Sequence, residues 1–273
     1  MAEWLAGDVH ANGIKIHYVR TGGAKPPIVL CHGATDNGLC WTPVAGALEG
    51  EYDVIMPDSR WHGFSDGPAE GNSPDCQVED LVGFVQVLGL AKPILMGHSM
   101  GADTVLKAAA CFPNLPRAVI MEDPPLREVV GDENPVQAQS FVERTRQSLL
   151  KYKSMSRAAL VEMIHNQSPA WSEEELGPWA DSKLQVSLNF VEARKNRPMP
   201  VSPWEDLAKI TCPALLITAD PERGAIITPE VAQKAAKVLP AMKIIRIGGA
   251  GHNIRREAFV AYMEAVKDFL ARV

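Results

Sequence analysis

Six short apolar runs with helix-like segments between most of them limit what this chain can fold into more than any other feature. They are PPIVLC (26–31), YDVIMP (52–57), KPILMG (92–97), RAVIMED (117–123), CPALLITA (212–219) and MKIIRIGG (242–249). Strands that are apolar along nearly their whole length, with no in-out alternation, are buried on both faces. The segments between them read as helices. SPDCQVEDLVGFVQVLGL (73–90) has Ser73 as N-cap, Pro74 in the first turn and Gly89 after its end. Further helices are expected from Met100 to about Phe112, over TPEVAQKAAKVL (228–239) and from about Arg255 to Ala271. Residues 7–20 read as a hairpin turning at Asn12-Gly13. The alternation predicts an α/β fold: a mostly parallel central sheet flanked by helices.

The alternation stops at Pro124-Pro125. Residues 126–204 hold no convincing strand, only helical stretches such as PVQAQSFVERTRQSLLKY, SRAALVEMIHN and ADSKLQVSLNFVEARK. The expected organisation is a core of residues 1–125 and 205–273, with 126–204 inserted as a helical cap.

Composition narrows the function classes. A net charge of -6 with no Lys/Arg-rich block argues against nucleic acid as a partner. The five cysteines, Cys31, Cys40, Cys76, Cys111 and Cys212, are odd in number and fit no zinc spacing, so reduced thiols are expected. The N-terminal stretch has no signal-peptide pattern, and no run reaches the roughly 18 apolar residues that span a bilayer. A cytoplasmic protein without membrane insertion is expected. No metal-type ligand cluster is present in the sequence, so no metal and no organic cofactor is expected.

The chemistry centres on Gly97-His98-Ser99-Met100-Gly101, placed between the run 92–97 and an Ala-rich helix. Glycines on both sides of a strand-to-helix corner remove the Cβ atoms that would collide there. The serine hydroxyl is lifted above the sheet edge beside a helix N-terminus. A serine needs a base to become a nucleophile. Of the seven histidines, His252 lies in the Gly-rich loop IGGAGHNIRRE after the last strand. In a parallel sheet that loop sits at the same carboxyl edge as Ser99, so His252 is the candidate base.

Five motifs agree in order: LCHG (30–33), PDSRWHGFSDG (57–67), GHSMGA (97–102), LLITADPE (215–222) and GAGHNI (249–254). On these the chain resembles the α/β-hydrolase superfamily, whose nucleophile–acid–histidine order it shares. One departure is RWHGFS, where relatives carry Arg-Gly-His-Gly-x-Ser; Trp61 is then expected at the site entrance. Epoxide hydrolases and haloalkane dehalogenases of this family carry aspartate at the elbow, so a serine there implies acyl transfer. The resemblance implies an oxyanion hole from the N–H groups of Met100 and Ala34. It leaves the acid open. Glu222 sits where most members carry it. Asp123 ends an earlier strand, where some serine lactonases and many dehalogenases place theirs, and its offset of 24 residues from Ser99 favours it. Asp220 and Glu122 are weaker candidates.

The cap is expected to supply the pocket, with Trp61 at its mouth and Met155, Trp171, Trp179 and Phe190 as lining candidates, together with Phe141 and Met163. That set implies a medium-sized hydrophobic carboxylic ester, cleaved through an acyl-enzyme. A lactone, of the macrolactone type that zearalenone represents, and carbon–carbon bond hydrolysis would use the same residues. A hydrolase-like ligand-binding protein is the alternative from another class. The expected partner is a small molecule.

Overall fold

A computed structural model describes residues 4–68, 76–126, 135–195 and 202–273, with side chains described outside 135–141 and 194–195. Ser73, Pro74 and the side chain of Phe141 lie outside the described residues.

Eight strands form one sheet. They are β1 (Leu5–Ala11), β2 (Ile14–Arg20), β3 (Pro27–Cys31), β4 (Asp53–Pro57), β5 (Ile94–His98), β6 (Ala118–Glu122), β7 (Ala214–Thr218) and β8 (Lys243–Arg246), in the order β1-β2-β4-β3-β5-β6-β7-β8. β1 and β2 pair antiparallel with Ala11 opposite Ile14, and Asn12 and Gly13 take φ of 48° and 75° in the turn. Positive φ at both corner residues matches the right-handed twist of the paired strands, which is why Asn-Gly suits the position. From β4 to β8 every pair is parallel. The carboxyl ends of β3, β5, β6, β7 and β8 therefore share one edge.

β4 to β7 are buried along their whole length and β3 from Ile28 onward, as their composition requires, whereas β8, expected to be buried on both faces, is half-exposed at the sheet edge. Alternate residues feed two separate layers. Val29, Ile55, Leu95, Val119 and Leu216 pack under α2 (Cys76–Val87), α3 (Met100–Cys111), α8 (Pro203–Lys209) and α9 (Pro229–Val238). Leu30, Met56, Ile94, Ile120 and Ile217 pack under α1 (Thr42–Leu48) and α11 (Phe259–Leu270). Each fully buried aliphatic side chain contributes about 1.5–3 kcal/mol, so these layers dominate the stability of the sheet.

Between β6 and α8 the chain forms a helical insertion of α4 (Pro135–Lys153), α5 (Arg157–Gln167), α6 (Glu173–Gln185) and α7 (Asn189–Lys195). The single helix expected over 180–195 is two helices. Val186 turns extended at ψ 131°, and the Ser187 N–H donates to the Trp61 carbonyl at 2.7 Å. A tertiary acceptor captures the donor that would have continued the helix. The last helix is also divided, into α10 (Ile254–Glu257) and α11, at Ala258 with φ -140°. Among the described residues no helix is long and apolar enough to cross a membrane.

Candidate active site

Ser99 forms the corner between β5 and α3 with φ 52° and ψ -113°, a conformation side chains rarely adopt. Its N–H donates to the Glu122 carbonyl at 2.9 Å, extending the β5–β6 ladder to the corner itself. There is no room for side chains around it. A Cβ on Gly101 would lie 2.1 Å from the Cys31 carbonyl oxygen, and one on Gly97 would lie 2.3 Å from the Gly101 carbonyl oxygen. A Cβ on Gly33 would lie 2.7 Å from His98 Nδ1. Met100 is the first residue of α3, so its N–H has no acceptor within the helix.

β6 ends at Glu122, and Asp123 follows with φ 43°, a left-handed turn that aspartate tolerates better than most residues. Its carboxylate is fully buried. It accepts from the backbone N–H of Ile226 at 2.8 Å and Ile227 at 2.9 Å, and from His252 Nδ1 at 2.6 Å. With Nδ1 as donor, the neutral imidazole leaves Nε2 free to accept. His98 Nε2 donates to the His252 carbonyl at 2.9 Å, and Glu257 accepts from Gly251 N at 2.8 Å and Asn253 N at 3.3 Å. The His252 loop is thus fixed on both sides of the ring. Among the described residues Ser99 Oγ has no hydrogen-bond partner; it and His252 line the same cavity.

The other acid candidates lie elsewhere. Glu222 is exposed on the short turn Pro221–Arg223 and pairs with nothing among the described residues. Asp220 accepts from Gly249 N and from Arg246 Nη2, each at 2.8 Å. The Gly249 N–H and then Arg246 hold its carboxyl below the usual range, as a brace for the base of the His252 loop. Glu122 is buried against Arg255, accepting its N–H at 3.0 Å and its Nη1 at 3.3 Å. Burial pushes its carboxyl up, and Arg255 opposes the rise.

The cavity of about 540 Å³ above Ser99 has a mixed wall, apolar over most of its area but set with charged and hydroxyl side chains. Trp171, Trp179 and Ala34 line it. Trp61, Phe190 and Met155 do not. Trp61 and Phe190 pack with Met100, Leu149 and Val186 in a small core beneath the insertion, and Met155 packs against α5 and α6. Large apolar residues in a short helical segment are consumed in packing the helices onto one another. In their place stand Arg144, Thr145 and Ser148 of α4, Lys183 of α6, and Asn253 and Arg256. Sequence reasoning missed all six. Polar residues on a helix read as a solvent face, and only the fold turns that face inward.

Two of these cations are engaged. Lys183 Nζ donates to the Thr35 carbonyl at 2.8 Å, Thr35 Oγ1 at 3.2 Å and Asp36 Oδ1 at 2.9 Å. Arg256 donates to Glu175 Oε2 at 2.9 Å, Asn253 Oδ1 at 3.1 Å and Asp36 Oδ2 at 3.0 Å, and lies over the Trp171 ring at 4.5 Å. Burial alone would push the Asp36 carboxyl up; Arg256, Lys183 and Arg255 outweigh it and hold it well below the usual range. Arg144 is different. It is exposed to the cavity and has no ionic or hydrogen-bond partner among the described residues.

Three other histidines bind backbone rather than substrate. His32 joins the Gly33 carbonyl at 2.8 Å to the Ser59 N–H at 2.9 Å. His62 joins the Arg60 carbonyl at 2.8 Å to the Thr35 N–H at 3.1 Å. A ring that donates to a carbonyl through one nitrogen and accepts an N–H through the other is neutral. Burial lowers the proton affinity of His32, and that of His98 well below the usual value, with Arg255 and His252 adding to the effect on His98.

Comparison with known proteins bears on family and fold. The sequence model of the Alpha/beta hydrolase family matches residues 28–266. The N-formylmaleamate deformylase of Pseudomonas putida is 29% identical over 281 residues, covering 99% of this chain and 98% of that protein. The 2-(acetamidomethylene)succinate hydrolase of Mesorhizobium japonicum is 35% identical over 105 residues, 38% of each chain. The solved structure of E-2-(acetamidomethylene)succinate hydrolase superposes with a TM-score of 0.82 at 20% identity, covering 98% of this chain and 100% of that one, a likeness of fold.

Proposed function

The chain belongs to the Alpha/beta hydrolase family, and from that premise we propose that it is a serine hydrolase that cleaves an acyl bond, ester or amide, in a compact substrate carrying a carboxylate. The observation that carries the reading is the Asp123–His252 pair at 2.6 Å, opening with Ser99 onto one cavity that Arg144 also lines. Ser99 Oγ attacks the carbonyl carbon and its proton passes to His252 Nε2. Asp123 holds the ring in the required tautomer and stabilises the imidazolium. The N–H groups of Met100 and Ala34 receive the negative oxygen. As the tetrahedral adduct collapses, His252 gives its proton to the leaving oxygen or nitrogen. Water, deprotonated by the same ring, then releases the acid and returns Ser99. α4 and α6, which line the cavity, act as its lid.

The carboxylate is argued from Arg144, whose guanidinium, once Lys183 and Arg256 are paired, is the cavity's cation without a partner among the described residues. This moves the substrate away from the hydrophobic ester that the aromatic residues of the insertion suggest. Two relatives point the same way. By their names, N-formylmaleamate and 2-(acetamidomethylene)succinate are N-acyl compounds that carry carboxylates. A lactone fits the same steps, with its alcohol remaining on the released acid.

The test is initial rates on matched acyl amides and esters, with and without a carboxylate, for wild type, Ser99→Ala and Arg144→Gln. Ser99→Ala should lower kcat by about ten thousand-fold or more. Arg144→Gln should raise KM for the carboxylated member by about 10- to 100-fold, the worth of one charge-assisted hydrogen bond, and leave the uncharged member unchanged. Turnover that survives Ser99→Ala sinks the mechanism. Equal effects of Arg144→Gln on both members sink the substrate class alone. Tight ligand binding without turnover on any member would favour a ligand-binding protein.

A further inference from the structure

The turn that carries Ala34 is held from two sides. Gly33 accepts from Asp36 N at 3.2 Å, so Ala34 and Thr35 are its corner residues, and Thr35 takes φ 66°. The Thr35 N–H is bound by His62 of the core at 3.1 Å. The Thr35 carbonyl is bound at 2.8 Å by Lys183, which comes from α6 in the helical insertion. The same ammonium holds Asp36, the next residue, and is itself buried. α6 makes two further polar contacts with the core. Gln185 accepts from Asn37 at 2.8 Å, and Glu175 accepts from Arg256, which in turn holds Asn253 beside the base. One helix of the insertion therefore grips both the loop that carries Ala34 and the loop that carries His252.

We propose that Lys183 is a positioning residue, and that docking α6 on the core and setting the Ala34 N–H of the oxyanion hole are one event. The proposal rests on the serine-hydrolase reading above. Thr35 holds a left-handed backbone that a β-branched residue leaves readily. Without a donor on its carbonyl, the turn relaxes and the Ala34 N–H swings away from the position the oxyanion occupies. The ground-state carbonyl needs that donor less than the oxyanion does, so the loss appears in kcat.

The experiment compares wild type with Lys183→Met, Lys183→Arg and Arg157→Ala. It reads kcat, KM and the inhibition constant of a carboxylated trifluoromethyl ketone, whose adduct with Ser99 places an oxyanion in the hole. Arg157 pairs with Asp181 on the outside of α6, at 2.6 Å, and controls for general loosening of the insertion. Lys183→Met should lower kcat by about 10- to 100-fold, the range for a misplaced catalytic group, with KM nearly unchanged and the inhibition constant rising in proportion. Lys183→Arg, which keeps a cationic donor, should restore most of both. Arg157→Ala should match wild type. If Lys183→Met does not accumulate folded, Lys183→Gln, which keeps a polar end but is too short for both partners, carries the same expectation. Wild-type kcat and inhibition in the neutral variants overturn the proposal, as does an effect on KM alone or an equal loss in Arg157→Ala. With Ser99→Ala inactive in the same assays, such a failure leaves the hydrolase reading standing.

Discussion

Asp123 accepts three hydrogen bonds at the end of β6, two from backbone N–H groups and one from His252, and those bonds determine what its replacement does. Asparagine has the same size but offers one acceptor and one donor group, so its NH₂ must face a donor wherever it points. Asp123→Asn should lower kcat by about a thousand- to ten thousand-fold through the wrong His252 tautomer. Glu222→Gln, on an exposed turn with no partner among the described residues, should leave kcat within about twofold of wild type, as most surface changes do. Steady-state rates of the two variants on one substrate decide between the carboxylates, and the reverse result would return the acid to Glu222. At this scale Ser99 and His252 were legible because each is framed by glycines next to an apolar strand. The partner of His252 was half legible: the sequence offered both Asp123 and Glu222 but not the Ile226 and Ile227 N–H groups that converge on Asp123. Arg144 and Lys183 were not legible, since a helical cation facing a cavity and one facing water have the same local sequence.

At the level of elements, the corner between β5 and α3 shows how one substitution can take opposite signs. Gly101→Ala puts a methyl 2.1 Å from the Cys31 carbonyl, and a backbone atom of the central sheet cannot yield cheaply. The cost should reach about 3 kcal/mol or more, the upper range for overpacking. Gly46→Ala places the same methyl in α1 with nothing within 4 Å, and helix propensity should stabilise by about 0.5–1 kcal/mol. Thermal midpoints of the two variants should therefore move in opposite directions; a shared sign would mean that the corner has more slack than its contacts indicate. The strands β3 to β7 were readable because burial on both faces demands apolar residues along the run; β8, at the sheet edge, is only half-buried. The break between α6 and α7 was not, because it depends on the Trp61 carbonyl more than a hundred residues away in the chain.

For the whole molecule, the buried neutral histidines set how stability responds to acid. An unfolded histidine gains a proton near pH 6.5. In the fold, burial depresses the proton affinity of His32 and His98, so below that pH the unfolded chain binds more protons than the native one. Stability is fully present above about pH 6.5 and falls as the pH drops, by up to about 1.4 kcal/mol per pH unit for each histidine. Glu122, raised by burial, works the other way at lower pH, where its protonation relieves a native-state cost. Urea unfolding at pH 7.5, 6.5 and 5.5 should show a decline across that interval. A flat or rising profile would contradict the neutral assignment of these rings. The parallel sheet with an interrupting helical segment was legible from the chain as a whole, since the strand runs stop at Pro124-Pro125 and resume at Cys212.

The contacts of α6 bear on how this protein could be recombined. Insertions at the end of a central strand invite treatment as interchangeable parts, spliced from one scaffold to another to exchange specificity. Here Glu175, Lys183 and Gln185 belong to the insertion, while their partners Arg256, Asp36 and Asn37 belong to the scaffold. A transplanted segment lacking these side chains would break two buried ion pairs, Glu175–Arg256 and Lys183–Asp36, and leave the Asn37 amide without its acceptor; losing one partner of a buried pair costs up to about 3–5 kcal/mol, less here because Arg256 and Asp36 still hold each other. The unit of inheritance for a chimera is thus the insertion together with residues 35–37 and 253–256, and a junction drawn through the chain at either end of the helices divides what folding has joined.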